Sequence, residues 1–190
     1  VLLWGPPRVE SSLAGDVVST RRVVWQNQRQ QIDYLRQVVT EYRSLYAIRS
    51  RARDIVFRQY SCAPRDQVAH ALAIGSWVQR NITYVNELPE VFQTPTTTVA
   101  QGYGDCDDFV VLVAALIESV GVISEIVGME WPERIGGREV RTFQHIFPYA
   151  VIPGRGRVPL DATLTHPVEE RKDPVQLAIA DGKKLDIYVR

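Results

Sequence analysis

From about Arg22 to Tyr60, apolar residues return at three- and four-residue steps. Trp25, Ile32, Leu35, Val39, Tyr42 and Leu45 or Tyr46 share one helical stripe, and Ile48, Ala52, Ile55 and Val56 continue it after a bend. No Pro or Gly interrupts the stretch, which favours long helices. Pro64-Arg65-Asp66 opens a further helix from Gln67 to about Arg80, with Val68, Leu72, Trp77 and Val78 among its apolar positions. Residues 81–85 are short and β-prone. Residues 86–104 carry Pro89, Pro95, the run Thr96-Thr97-Thr98, Gly102 and Gly104, and read as a loop-rich connection. The strongest helical pattern covers residues 106–120, with Phe109, Leu112, Val113, Leu116, Ile117 and Val120 on one face and Gly121 as the stop. Beyond Gly121 the period shortens towards two. Strands are expected at 123–130, 139–152, 157–162 and 185–189, broken by Gly136-Gly137 and by Pro153-Gly154-Arg155-Gly156. Helices first and antiparallel strands second is an α+β order. Residues 1–20 show no period and read as an extended arm.

Four segments follow: the arm at 1–20, a helical segment at 21–62, a core at 63–172 and a C-terminal extension at 173–190. The first residue is not Met, so the chain is expected to be processed or cut from something longer. Lys plus Arg and Asp plus Glu both number 22, so charge gives no case for nucleic acid or membrane as partner. No apolar run approaches the ~20 residues that span a bilayer, and no intact signal peptide is visible. Arg49, Arg51, Arg53 and Arg58 read as a solvated helix face. Two cysteines cannot build a disulfide framework, and a reducing compartment is expected. Three histidines and two cysteines, widely spaced, form no metal-ligand pattern, so no metal or cofactor is implied. Neither a phosphate-binding Gly-rich loop nor a Gly-x-Ser-x-Gly elbow is present.

Chemistry concentrates at Gly104-Asp105-Cys106-Asp107-Asp108, at the start of the strongest helix. Backbone N–H groups at a helix N-terminus stabilise a thiolate and can donate to an oxyanion. Asp107 and Asp108 suit the helix dipole, yet their charge opposes thiolate formation, so a neighbouring His would have to supply much of the activation. His145 and Asp161 lie in two successive β-prone runs. If the intervening turn closes symmetrically, Asp161 lands opposite Pro148 and on the wrong face. A three-residue connection or one bulge sets it opposite Phe147, diagonal to His145 on the same face, and such a turn is expected. Cys106 would then be nucleophile, His145 base and Asp161 the group orienting the imidazole. Taken singly, each has a plainer reading: a small buried Cys, a strand His, a rim carboxylate. His166 replaces His145 only if that register fails.

In this order of Cys, His and Asp the sequence resembles the transglutaminase-like superfamily of papain-type enzymes. The likeness runs through Trp77–Val85, Gln93-Thr94-Pro95, Gly104–Asp108, Leu112 to Gly121, Gln144–Phe147 and Val158–Thr163. Its layout is similar to members encoded by tailed phages and prophages. Val158-Pro159 stands where many relatives carry Trp, which bears on the acyl pocket. The resemblance implies a helical lobe with the nucleophile at a helix N-terminus, packed on an antiparallel sheet. It also implies a catalytic core at 63–172 acting on a peptide or protein substrate, as a peptidase or amidase or as an isopeptide crosslinker. Gln101, Tyr84 and Tyr103 are the candidates for the second oxyanion donor. The rival expectation is a structural component of a phage-type particle, docked through residues 1–60, with a cytoplasmic or virion-associated location.

Overall fold

The computed structural model describes residues 9–14, 18–23, 27–85, 92–140 and 143–190. Strands β1 (Val9–Ala14) and β2 (Val18–Val23) pair antiparallel, with Val9 opposite Val23. The helix expected from Arg22 therefore begins later. Helix α1 (Gln28–Tyr42) is capped by Asn27, whose side chain accepts from the Gln30 N–H at 3.0 Å. Strand pairing on both edges of β2 outweighs helical spacing there. Trp25, placed on the helical stripe by spacing, lies outside the described residues. The bend comes after Tyr42, where α2 (Tyr46–Arg53) runs on into a π-helical turn at Asp54–Gln59. Helix α3 (Gln67–Asn81) is capped by Asp66 and leads into β3 (Thr83–Tyr84).

The described part of the connection expected as loop, residues 92–104, forms regular elements instead. It holds β4 (Phe92–Gln93), α4 (Pro95–Gln101) and β5 (Tyr103–Gly104). Pro95 occupies the first turn of α4, where no N–H is needed. Thr94 and Thr97 share a hydroxyl contact at 2.9 Å, and the Thr98 hydroxyl donates to the Thr94 carbonyl at 3.2 Å. Thr94, Thr97 and Thr98 are buried with their hydroxyls satisfied. Gly102, at φ +75°, closes α4 in the left-handed region.

Helix α5 (Cys106–Ser119) follows, then β6 (Ile123–Glu130), β7 (Glu133–Ile135), β8 (Arg138–Val140), β9 (Phe143–Ile152), β10 (Gly156–Pro159), α6 (Pro174–Ala180) and β11 (Asp186–Val189). The single strand expected at 139–152 is two. β8 folds back on β7 across Gly136-Gly137, both at positive φ, while β9 pairs with β6. The main sheet runs β10-β9-β6-β11, with its pairs antiparallel.

Helix α5 is buried all round from Phe109 to Ile117, not on one face as its spacing suggested. The reason is its place at the centre of the molecule. Ile32, Leu35, Val38 and Val39 of α1 join Val110, Val111 and Ala114 in one apolar cluster, with Ile126 and Ile146 of the sheet. Ile74 and Trp77 of α3 meet Leu112, Leu116 and Ile117, together with Ala150, Ile152 and Leu160. Among the described residues, no helix is long and apolar enough to cross a membrane.

Candidate active site

The tip of α5 is built by short-range polar contacts. Asp105 is the N-cap: its Oδ1 accepts from the Asp107 N–H at 3.0 Å and the Asp108 N–H at 3.3 Å. Asp108 returns the favour, its Oδ2 accepting from the Asp105 N–H at 3.2 Å, which completes a capping box. Asp108 Oδ1 accepts from the Gln93 N–H at 2.7 Å, tying β4 to the helix tip. Strand β5 pairs in parallel with β3, Tyr84 opposite Gly104, so the residues ahead of Cys106 are held from a second side. Gly104 has no room for a side chain. A Cβ there would stand 2.7 Å from the Asp108 Cβ and 2.8 Å from its Oδ2.

Two of the helix-tip N–H groups, those of Asp107 and Asp108, are engaged by the Asp105 carboxylate. The arrangement also alters the charge balance. Burial, with the nearby Asp105 and Asp107 charges adding to it, pushes the Asp108 carboxyl up to about 9, outweighing the two N–H donors that favour ionisation. Burial raises Asp105 as well. At neutral pH Asp108 is therefore protonated, and one of the two charges expected to oppose a thiolate is absent. Asp107 is buried too, and its Oδ2 accepts from the Gln31 Nε2 at 2.7 Å while its Oδ1 lies 3.9 Å from the Cys106 Sγ.

The Asp108 shift predicts how stability depends on pH. Its folded value lies above the ordinary 3.8, so the neutral group's contribution is complete below that value and is lost as pH rises through about 9. The melting temperature of the wild-type chain should fall more steeply between about pH 4 and pH 9 than that of Asp108→Asn, followed by circular dichroism. Parallel declines would mean that Asp108 is ionised throughout.

His145 and Asp161 are brought together. His145 Nε2 hydrogen-bonds Asp161 Oδ2, while Asp161 Oδ1 accepts from the Thr163 N–H at 3.0 Å and the Thr163 hydroxyl at 2.7 Å. The register explains the meeting. Gly156 pairs with Ile152 and Pro159 with Tyr149, so the turn has three residues, the odd length expected. The Leu160 N–H still donates to the Pro148 carbonyl at 3.0 Å, which carries Asp161 to the level of Phe147. The His145 ring stacks on Phe147, centroids 5.8 Å apart at 12°. His145 thus shares its face of β9 with Phe147 and Tyr149, whereas α5 covers the other face through Ile146, Ala150 and Ile152. A register shift in β6 between Met129 and Glu130 falls opposite this point, Met129 pairing with His145.

Cys106 is half-buried, is not in a disulfide, and packs against the cluster that contains Ile146. Tyr84 links the two parts of the site. It is 46% exposed, stands edge-on to Phe109, and its phenol is pushed up to about 12 by burial first, then by the charges of Cys106, Asp105, Asp161 and Asp107. Tyr103 is also partly exposed, on the neighbouring strand, while the Gln101 amide oxygen is buried without a hydrogen-bond partner. His166 is elsewhere, exposed and 3.8 Å from Glu170. Among the described residues, no group of three or more His, Cys, Asp or Glu side chains is placed to hold a metal ion. Gln31 and the Gln93 amide were not foreseen as parts of the site. They reach Asp107 and Asp108 from 76 and 15 residues away along the chain, and no local pattern signals such contacts.

Residues 53–162, more than half of the chain, match the family model described as the transglutaminase-like superfamily. Two solved structures are similar. One is a proposed protease from Parabacteroides distasonis ATCC 8503, at 11% identity and a TM-score of 0.52, aligned over 86% of this chain and 37% of that one. The other is a proposed cysteine protease from Cytophaga hutchinsonii, at 15% identity and a TM-score of 0.50, over 91% and 62%. The chain thus spans less than two thirds of either protein. At such identities the likeness speaks for the fold alone. No curated protein matches.

Proposed function

This chain belongs to the transglutaminase-like superfamily, and from that premise we propose that it transfers acyl groups through a thioester on Cys106, hydrolysing a peptide or amide. The observation that carries the reading is the His145–Asp161 hydrogen bond, with Asp161 itself fixed by Thr163. The alternation of β9 turns His145 away from the middle of α5, so the two residues are proposed to meet around the edge of the sheet. Support comes from β10, whose ladder ends at Pro159 opposite Tyr149, so that among the described residues no strand pairs with the β9 edge beside His145. The register shift at Met129 adds local twist at that end, as bulges do beside active sites.

In the proposed cycle the Cys106 proton passes to His145 and the thiolate attacks the substrate carbonyl carbon. The tetrahedral oxyanion collapses, the C–N bond breaks, and the departing amine takes the proton from the imidazolium. Water then gives His145 a proton as it attacks the thioester, releasing the acid and restoring the thiol. Asp161, itself fixed by Thr163, holds the imidazole. Of the three oxyanion candidates Tyr84 fits best. It is accessible, and its raised phenol remains an O–H donor across the neutral range. Water is ranked ahead of an amine as acceptor because both structural neighbours are named as proposed proteases. Kinship with phage-encoded members remains part of this proposal, carried by the sequence motifs.

Alkylation tests the reading without a substrate. At about pH 6, iodoacetamide should label Cys106 at least ~10-fold faster than Cys62, whose thiol is pushed up by burial and by Asp66. Equally slow labelling of the two would count against a catalytic thiol.

A further inference from the structure

We propose that Gln31, on α1, is a positioning residue for Cys106 and sets the reactivity of its sulfur through Asp107. The proposal deepens the reading above and rests on Cys106 being the nucleophile. Gln31 lies outside the 53–162 stretch that matches the superfamily, so the contact comes from a part of the chain beyond the matched core. The Gln31 Nε2 donates to Asp107 Oδ2 at 2.7 Å in a buried setting, and the other oxygen of the same carboxylate lies 3.9 Å from the Cys106 Sγ.

The electrostatics of that chain are directional. A carboxylate this close to sulfur disfavours the thiolate. A strong donor on its far oxygen draws charge away from the sulfur and fixes the rotamer of Asp107. Helix α1 is a firm platform for that donor, because Ile32 and Leu35 beside Gln31 are wholly buried in the cluster against which Cys106 itself packs. The titratable groups nearest along the chain are Asp105 and Asp108, which share the helix tip with Cys106, and Tyr84 on β3 also feels the charge of the sulfur. Asp108 is neutral in the relevant range, which leaves Asp107 as the nearer charge for Gln31 to moderate.

The test is the pH dependence of Cys106 alkylation in four forms: wild type, Gln31→Met, Asp107→Asn and the double variant. Cys62 serves as internal reference, and circular dichroism checks the fold. Asp107→Asn should lower the midpoint by about one pH unit, with labelling below it roughly 10-fold faster. Gln31→Met should raise the midpoint by about half a unit, slowing labelling roughly 3-fold. In the Asp107→Asn background, Gln31→Met should change nothing further, since the charge it moderates is gone. The proposal is overturned if Gln31→Met leaves the profile unmoved, or if it slows labelling equally in both backgrounds, the mark of a merely structural role. Should Gln31→Met not fold, an unchanged midpoint in Asp107→Asn overturns it by itself. These readouts follow the sulfur directly. They are therefore separate from the comparison of Cys106 with Cys62 that decides the catalytic reading.

Discussion

Replacing Cys106 with serine is expected to abolish turnover while leaving the fold intact. The substitution keeps the shape of a half-buried side chain and leaves the Asp105 cap and the Asp108 bond to Gln93 untouched. Stability should therefore change by no more than about 1 kcal/mol. A hydroxyl has no accessible anion near neutral pH, and a His-activated hydroxyl needs oxyanion donors placed for a shorter bond than C–S. On the proposed mechanism the loss exceeds a thousandfold, to the limit of detection on the order of the uncatalysed rate. The assay is denatured casein incubated with fluorescent cadaverine. New peptide N-termini report hydrolysis, and casein-bound dye reports transfer to an amine. Activity in Cys106→Ser above about a tenth of wild type, in either channel, would remove Cys106 from the chemistry.

Asp161→Asn is expected to cost about 100- to 10,000-fold in kcat with little change in KM. The argument is one of tautomers. Asp161 is 4% exposed and uses both oxygens, Oδ1 on two donors from Thr163 and Oδ2 on His145 Nε2. An asparagine would keep its oxygen on the Thr163 donors, because its NH2 cannot face another N–H. The NH2 then points at Nε2 and donates to it, forcing the imidazole proton onto Nδ1, the nitrogen that the Nε2–Asp161 bond otherwise leaves to take the thiol proton. The base is blocked in place. Two readouts separate this from simple loss of structure: the melting temperature should shift by only a few degrees, and Cys106 alkylation at about pH 6 should fall towards the rate of Cys62. A variant with wild-type kcat would show that the pair only braces the strands.

Much of the fold was legible in the sequence where one period dominated. The spans of α3, α5 and β6 were read within a residue or so, because long apolar periodicity with capping residues leaves little choice. The turn between β9 and β10 was legible as well, since only an odd length puts Asp161 level with Phe147. Two elements were misread for one reason. The strand at 18–23 is decided by its hairpin with β1 and by β4 far along the chain, and the helix at 95–101 by burial of its threonines. Local spacing does not contain that information.

The sequence by itself determined which side chains are candidates for chemistry, and that a cysteine opens a buried helix. Residue type and helical period are local properties, and they survive any rearrangement of neighbours. Only the tertiary structure decided how that chemistry is tuned. The protonation of Asp108 depends on how deeply packing buries it, the engagement of two helix-tip amides on the cap that forms, and the Gln31 contact with Asp107 on a crossing of α1 and α5. Each of these is set by dielectric and distance, which arise only once the chain has closed on itself.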